Sequence, residues 1–268
     1  MSAADRISRA LFGFYLIAFF VYLFAPLAIM GAATFNTSRF PTVTPWQGTT
    51  LRWFSELWSD GAMWQSLWTS AVVAFFVVLI ALPVGTAAAL ILTSLHARAR
   101  GFLYAVMVSP LLTPGVVIGI ATLVLWRQLG VGGGVFLIVV AQASFIICYV
   151  MLMVAARLQR FDRTQEEAAL GLGASKFMVF RRILLPFLKP ALIAAAFLTV
   201  LQSIENYNTT LFVRGFDTPL TVFIATKVRT GLTPAVNALA LIMISITILG
   251  AVAYEVARRR RAKAGGAA

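Results

Sequence analysis

The chain has 268 residues, of which 60% are hydrophobic and 12% are charged, and it carries a formal net charge of +13. Because soluble domains usually contain about 25% charged residues, this composition excludes an ordinary soluble protein and favours a membrane protein. The single cysteine and single histidine exclude an internal disulfide and argue against a zinc or iron site, so no metal site is predicted.

Six segments are long and apolar enough to cross a bilayer, which requires about 20 apolar residues in a helix. The sequence therefore predicts an all-α membrane protein with a single transmembrane domain over residues 1–268. The first segment is too long for a signal peptide and lacks a clear cleavage site, so we expect a retained helix. The predicted spans cover residues 11–35, 67–95, 102–126, 135–158, 190–212 and 234–257, with boundaries that vary by a few residues.

The basic residues lie in short tracts between the spans, a pattern that indicates membrane topology and not nucleic-acid binding. Sixteen of the 22 lysines and arginines fall in the N-terminal tract, the tract between spans two and three, the central loop and the C-terminal tail. Since positive charge accumulates in cytoplasmic loops, both termini are predicted to be cytoplasmic. The central loop, residues 159–189, is then the longest cytoplasmic loop.

Two prolines interrupt the third predicted span, in the stretch SPLLTPGVV. Pro110 and Pro114 each remove a backbone hydrogen bond and so predict a kink, which membrane helices accept when neighbouring groups satisfy the freed carbonyls. The kink is consistent with a hinge beside a pathway or with passive packing geometry, and we prefer the passive interpretation.

The central loop contains the signals of a helix, a glycine turn and a second helix. Thr164 stands three residues before Glu167, which predicts a capping box at a helix start. Gly171 and Gly173 provide places where the backbone can adopt positive φ. Ser175 is expected to cap the second helix.

Two prolines follow the second helix of this loop. Pro186 is predicted to end that helix, and Pro190 to open the fifth span. The residues alone leave two interpretations of the loop open, an amphipathic linker on the membrane surface or a docking element for a partner.

A polar cluster interrupts the fifth predicted span, in the stretch LQSIENYNTT. Glu205 is costly within a membrane unless it faces water, a partner or a cation, so it marks a candidate pathway. The alternative is a hydrogen-bonded contact that holds two membrane subunits together. Gln202, Glu205 and, less directly, Asn208 share a helical face by their spacing. The predicted pathway residues are Gln202, Glu205, Asn206, Tyr207 and Asn208.

The chain lacks the motifs of an enzyme. It contains no phosphate-binding loop of the G-x-x-x-x-G-K-[ST] type, so we do not expect it to bind ATP or another cofactor itself. It also lacks a nucleophile elbow, and no Ser/His/Asp set is convincing with one histidine. No catalytic residue is therefore predicted.

In the central loop, Glu167-Ala168-Ala169 is followed by Gly173 and then by Ile183-x-Leu185-Pro186. These residues and their spacing resemble the cytoplasmic EAA loop of ABC importer permeases. The resemblance implies a coupling helix that sits in a groove of an ATPase subunit, with Glu167, Ala168, Ala169 and Gly173 forming the contact. The predicted docking set is Glu166, Glu167, Ala168, Ala169, Gly171, Gly173 and Ala174.

The likeness extends to the first outer loop and to the stretch TPLTVFIATKVRTGLTPAVNALA, which resemble permeases of the spermidine/putrescine type. It implies a type I ABC importer fold with six helices, in the inner membrane of a bacterium. It also implies a heterodimer with a second permease, two ATPase subunits that bind ATP and magnesium, and an external substrate-binding protein.

One departure from that family pattern bears on the substrate. Polyamine-type permeases often carry two acids after a serine where this chain has Glu205-Asn206. A polyamine importer remains the first hypothesis, and a carrier of an amino-acid-like or other small solute the second. A secondary transporter driven by an ion gradient is disfavoured, because it would need an inverted repeat and more intramembrane charges, and the sequence shows neither. A membrane scaffold without transport is a further alternative, which Glu205 and the polar cluster disfavour.

Overall fold

The computed structural model of the chain describes residues 3–95, 97–231 and 233–265, which are almost entirely helical, as predicted. His96 and the side chains of Arg6, Arg98 and the basic tail residues after position 257 lie outside the described part. In chain order the helices are α1 (Ala3–Ala33), α2 (Arg52–Ser59), α3 (Gly61–Ser94), α4 (Ala97–Leu112), α5 (Gly115–Gln128), α6 (Val135–Leu158), α7 (Thr164–Gly171), α8 (Lys176–Val179), a π-helical segment (Phe180–Leu184), α9 (Leu185–Glu205), α10 (Thr210–Val213), α11 (Leu220–Thr230) and α12 (Pro234–Gly265).

Four helical stretches among the described residues are long and apolar enough to cross a membrane. They are Leu11–Ala33, Gly61–Ser94, Val135–Leu158 and Lys176–Glu205. The predicted bounds of the fourth span, 135–158, agree with α6. The apolar part of α12, Pro234–Gly250, is shorter than these four.

The third predicted span, 102–126, is interrupted by a sharp bend at the place where its two prolines predicted a kink. Ala99–Leu112 and Gly115–Gln128 meet at an angle of 98°. Pro110 lies inside α4, and Pro114 immediately precedes α5. A proline cannot donate to the preceding turn and restricts the residue before it, which explains why the chain breaks at this position.

The fifth predicted span, 190–212, was wrong at both ends. Helix α9 begins at Leu185, so Pro190 lies inside it, and it ends at Glu205. The chain is non-helical after Glu205 and forms only the short helix α10 at Thr210–Val213. The polar cluster therefore lies at a helix end and not within a continuous span.

The described residues form two compact units, of which Ala62–Phe223 is the larger. Its core is built around α6, whose apolar side chains face α3 on one side and α9 on the other; Val77, Ile146, Val150 and Leu188 are fully buried there. A Cβ atom on Gly85 would lie 2.6 Å from Val150 Cβ, so this glycine permits close approach of α3 and α6.

The other unit comprises the described residues within 1–61 and 224–268. Helix α12 contacts both α1 and α2 in it. Asn36 is fully buried and organises the loop before α2: its Nδ2 donates to the carbonyl of Thr42 at 2.9 Å, and its own carbonyl accepts from Trp53 Nε1 at 2.7 Å.

Candidate functional site

A cavity of about 290 Å³ lies at the end of α9, beside the break between α4 and α5. Side chains from α4, α5, α6 and the segment after α9 line it, and all five predicted pathway residues are among them. They are Gln202, Glu205, Asn206, Tyr207 and Asn208, together with Pro110, Thr113 and Gly115 at the helix break. The structure therefore brings the two unusual stretches of the sequence, SPLLTPG and LQSIENYN, to one place.

Asn206 determines how the chain leaves α9. It has extended backbone angles, with φ −69° and ψ 102°, and its Oδ1 accepts hydrogen bonds from the amide and hydroxyl of Thr210 at 3.3 and 3.1 Å. An asparagine side chain that bonds to the following backbone competes with helix continuation, which explains the end of α9. Asn208 consequently lies outside the helix. The predicted helical face was therefore wrong for Asn208, whereas Gln202 and Glu205 both lie in α9 at the predicted spacing.

A buried polar network holds this helix end against α6. Ser203 Oγ donates to Gln142 Oε1 at 2.6 Å, and Gln142 Nε2 donates to Thr210 Oγ1 at 2.9 Å. Gln142, Ser203 and Thr210 are all buried. Sequence reasoning missed Gln142 and Thr210, although a lone glutamine in an apolar span is a signal for an interhelical hydrogen bond.

Two glycines of α5 allow the segment after α9 to pack against that helix. A Cβ atom on Gly119 would lie 2.6 Å from the carbonyl oxygen of Thr209, and one on Gly115 would lie 2.9 Å from Thr209 Oγ1. Larger side chains at either position would displace the segment. This pair of glycines, four residues apart, was also missed in the sequence, although small residues at that spacing are typical of close helix contacts.

The electrostatics of the cavity favour positive charge. Glu205 is solvent-exposed and is the last residue of α9, so its carboxylate adds to the negative end of the helix dipole. Gln202, Tyr207 and Asn208 supply further polar groups around it. Among the described residues, no group of three or more His, Cys, Asp or Glu side chains could hold a metal ion.

The central loop begins with a helix that is capped differently from the prediction. Asp162 Oδ1 accepts from the amide of Thr164 at 3.0 Å and from its hydroxyl at 2.7 Å. Thr164 is thus the first residue of α7 and makes no capping bond with Glu167, so the predicted capping box was wrong. The amide of Glu167 instead donates to the carbonyl of Arg163 at 3.1 Å, within the backbone of the helix. The two hydrogen bonds from Thr164 hold the pKa of Asp162 below its ordinary value.

The glycine turn and the second cap of the loop are confirmed in part. Gly173 has φ +85°, as predicted, whereas Gly171 is the last residue of α7. Ser175 Oγ accepts from the Met178 amide at 3.2 Å and caps α8. Pro186 was predicted to end the second helix, and this was wrong: the chain continues from α8 through the π-helical segment into α9. The wider π turn relieves the clash that a proline ring makes with the carbonyl four residues earlier.

Two arginines fix the base of the loop. Arg163 Nη2 donates to the carbonyl of Thr93 at 2.8 Å, which joins the start of α7 to the end of α3. Arg157 Nε donates to the carbonyl of Phe187 at 3.3 Å, and its guanidinium lies 4.2 Å from the centre of the Phe187 ring. These contacts anchor the loop to the transmembrane helices at its two ends.

Much of the surface of the central loop is exposed to solvent. Helix α7 buries none of its residues, and Glu167, Ala168 and Gly173 are exposed. Leu172 is 89% exposed and Phe177 is 70% exposed. Apolar side chains exposed beside a rigidly anchored helix are typical of an interaction surface.

The chain matches the family of binding-protein-dependent transport system inner membrane components over residues 81–263. It is similar to the spermidine/putrescine transport system permease protein PotC of Shigella flexneri, with 32% identity over 97% of this chain and 98% of the relative. It is 33% identical to the putrescine transport system permease protein PotI of Escherichia coli, over 90% and 88% of the two chains. The putative 2-aminoethylphosphonate transport system permease protein PhnV of Salmonella paratyphi A is 28% identical over 87% and 88%.

Two solved structures share the fold. One is a bacterial ABC transporter involved in the import of the acidic polysaccharide alginate, which matches with a TM-score of 0.76 and 17% identity over 95% of this chain and 98% of the other. The other is a bacterial alginate ABC transporter in complex with an alginate pentasaccharide-bound periplasmic protein, with a TM-score of 0.68, 14% identity and coverage of 94% and 93%. At these identities the likeness establishes the fold alone.

Proposed function

The chain belongs to the family of binding-protein-dependent transport system inner membrane components, and from this membership we propose that it is a permease subunit of an ATP-driven importer for a small organic cation such as a polyamine. The observation that carries the substrate class is the polar cavity at the end of α9, with Glu205 at its edge. With a second permease, the chain forms the translocation path, and this cavity is part of it.

The charge at the cavity supports a cationic substrate. A carboxylate and a negative helix end lower the cost of moving positive charge through a region of low dielectric constant. The relatives PotC and PotI are named for spermidine and putrescine, which are polyamines. PhnV is named for 2-aminoethylphosphonate, which carries one amino group and an anionic group.

Asn206 keeps an amino-acid-like substrate open as a second candidate. Its side-chain oxygen is engaged by Thr210, and it adds no charge beside Glu205. One carboxylate can balance the charge of one ammonium group but not of several. The chain therefore also suits a substrate with one positive charge.

The central loop is proposed to dock an ATPase subunit through Glu166, Glu167, Ala168, Ala169, Gly171, Gly173 and Ala174. Support comes from the exposed surface of α7 and from the anchoring of the loop by Arg163 to the end of α3. A partner that moves α7 would pull on α3 through the Arg163 contact, and on α9 because the chain continues from α8 through the π-helical segment into α9. ATP and magnesium would be bound by the two ATPase subunits and not by this chain.

We further propose a bacterial inner-membrane location with six spans and cytoplasmic termini, in which the bent pair α4–α5 and helix α12 each contribute one crossing. A heterodimer with a second permease would complete the path, and an external binding protein would deliver the substrate. The distribution of lysine and arginine supports this orientation.

The experiment that tests the proposal replaces Glu205 with Gln in the complete transporter reconstituted in proteoliposomes. Uptake of putrescine and spermidine, delivered by the binding protein, should fall at least about fivefold, because a charge–charge interaction of about 1 kcal/mol is lost. Glu56→Gln serves as the matched control, since Glu56 is an exposed glutamate of α2 that does not line the cavity. Unchanged uptake in an intact Glu205→Gln complex would exclude the proposed role of this carboxylate.

A further inference from the structure

A second cavity, of about 530 Å³, lies between the end of α3, the start of α4 and the last turns of α6. Its walls are mostly apolar and include Leu92, Leu95 and Leu152, while Arg100, Tyr104 and Gln159 supply its polar groups. It shares no lining residue with the cavity at the end of α9, and Gln159, at the very start of the central loop, is not among the predicted docking residues, so the transport cycle described above leaves it unexplained.

The helix geometry explains why this space is open. Cys148 of α6 donates its S–H to the carbonyl of Met107 in α4 at 2.8 Å, so the two helices are in direct contact at this point. Tyr104 lies one turn before Met107 and Leu152 one turn after Cys148, and both line the cavity. Gly101 lies one turn before Tyr104, nearer the start of α4, and a Cβ atom there would have no heavy atom within 4 Å. The two helices therefore diverge from the Cys148–Met107 contact and leave a wedge-shaped cavity between them.

The position of the cavity along the helices places it where hydrocarbon meets head groups. Leu92 lies in the last turn of the apolar helix α3 and Leu95 directly follows that helix, while Gln159 directly follows the last residue of α6. Tyrosine and arginine at the ends of transmembrane helices typically lie at that boundary, with the polar tip directed to the head groups. Under the orientation proposed above, this boundary belongs to the cytoplasmic leaflet.

The chemistry of the cavity fits one class of molecule. Arg100 contributes a positive charge, and none of the nine described lining residues is acidic. Arginine binds phosphate with good geometry, and the neighbouring tyrosine and glutamine can donate further hydrogen bonds. The leucine walls would accommodate an acyl chain, which a free phosphate ion does not have.

We infer that this cavity binds an anionic phospholipid, with the phosphate at Arg100 and one acyl chain between α4 and α6. A basic pocket between transmembrane helices on the cytoplasmic side is suited to such head groups, because the anionic lipid is held by charge as well as by apolar burial. The inference depends on insertion of the chain in a membrane and not on the identity of the transported substrate.

The test is native mass spectrometry of the purified full-length chain titrated with phosphatidylglycerol and, separately, with phosphatidylcholine of the same acyl chains. We expect tighter binding of one phosphatidylglycerol, and we expect Arg100→Gln to weaken it about fivefold. Gly101→Leu should abolish the bound lipid, because the leucine side chain fills the open space beside α4. Arg181→Gln is the matched control, since Arg181 is exposed on the π-helical segment and does not line the cavity.

Three results would overturn the inference. They are equal binding of both lipids by the unmodified chain, unchanged phosphatidylglycerol binding in Arg100→Gln and Gly101→Leu, and complete competition by inorganic phosphate, which would indicate a bare anion site. If Gly101→Leu does not fold, Ala156→Leu fills the same cavity from α6, where Ala156 is exposed.

Discussion

Ser203 and Gln142 exchange two hydrogen bonds in the interior of the protein. The Ser203 hydroxyl donates to Gln142 Oε1 at 2.6 Å, and Gln142 Nε2 donates to the Ser203 carbonyl at 3.4 Å as well as to Thr210 Oγ1. Thr210 in turn donates to Asn206. The position of Glu205, which lies between Ser203 and Asn206, therefore depends on a glutamine of another helix.

Replacing Gln142 with Leu should destabilise the protein, because the hydroxyl of Ser203 would lose its acceptor in a buried place. Each buried polar group left without a partner costs about 1–3 kcal/mol. We expect a lower apparent unfolding temperature in detergent and, in the assembled transporter, weaker uptake. Gln65→Leu is the control, since Gln65 is an exposed glutamine of α3. An unfolding temperature equal to that of the control would contradict the role of the network.

Apolar segment length and flanking residues were sufficient to predict several helices. The fourth span was predicted at 135–158 and found at Val135–Leu158. Its bounds were predictable because a glycine-rich turn precedes it and Arg157 lies in its last turn. The five cavity residues were selected because polar side chains are costly in a membrane, and the structure does bring them together. Their role as a substrate path stays a prediction.

Features that depend on competition or on distant contacts could not be predicted. Asp162 and Thr164 are both good capping residues, and only the backbone geometry decides that Asp162 accepts the bonds. Pro186 is tolerated because a π turn precedes it, and no pattern in the sequence reveals that turn. Two prolines locate a break between α4 and α5, but they do not determine the angle of 98°, and α5 also packs against Thr209, which lies far along the chain.

The turn at Gly173 should be essential for coupling. Its φ of +85° is strained for any residue with a Cβ atom, so Gly173→Val should cost about 1–2 kcal/mol and reorient α7 relative to α8. We expect the ATPase subunits to be lost during purification or substrate-stimulated ATP hydrolysis to disappear.

Gly130 offers a matched control for this prediction. It has φ +80°, and a Cβ atom there, as at Gly173, would meet nothing within 4 Å. It lies in the turn between α5 and α6, so Gly130→Val introduces similar backbone strain outside the central loop. Equal loss of coupling in both variants would show that general destabilisation, and not the docking surface, explains the effect.

The cap at Asp162 makes the start of α7 sensitive to acid. Because hydrogen bonds from Thr164 hold the folded-state pKa below the ordinary value of 3.8, the charged carboxylate contributes stability that is fully present above that pH. This contribution is lost as the pH falls through the lower, folded-state pKa. Asp162→Ala should remove it at every pH, whereas Asp162→Asn retains an acceptor without a titrating charge.

Hydrogen exchange of the peptide that covers α7, corrected for intrinsic rates, measures this effect. We expect faster exchange in Asp162→Ala than in the unmodified chain at neutral pH, and intermediate exchange in Asp162→Asn. Since the carboxylate is fully exposed to solvent, the effect should be confined to the first turn of the helix. Identical exchange in all three proteins would mean that the observed bonds do not stabilise α7.

Asn206→Asp should change which cations the transporter prefers. The Asn206 oxygen accepts from the Thr210 amide and hydroxyl, and an aspartate oxygen can accept the same two bonds, so the end of α9 should be preserved. The variant then carries two adjacent carboxylates at the cavity. Two unit charges about 4 Å apart in water interact by about 1 kcal/mol, so uptake of spermidine relative to putrescine should rise about fivefold.

Competition between the two labelled polyamines in proteoliposomes measures this ratio directly. Asn206→Leu is the informative counterpart, because it removes the acceptor for Thr210 and should lower the stability of the complex without improving spermidine uptake. If the Asn206→Asp complex assembles normally and its preference is unchanged, the cavity does not sense the charge of the substrate. In that case the external binding protein alone would select among polyamines, and the carboxylate of Glu205 would lose its proposed part in selectivity.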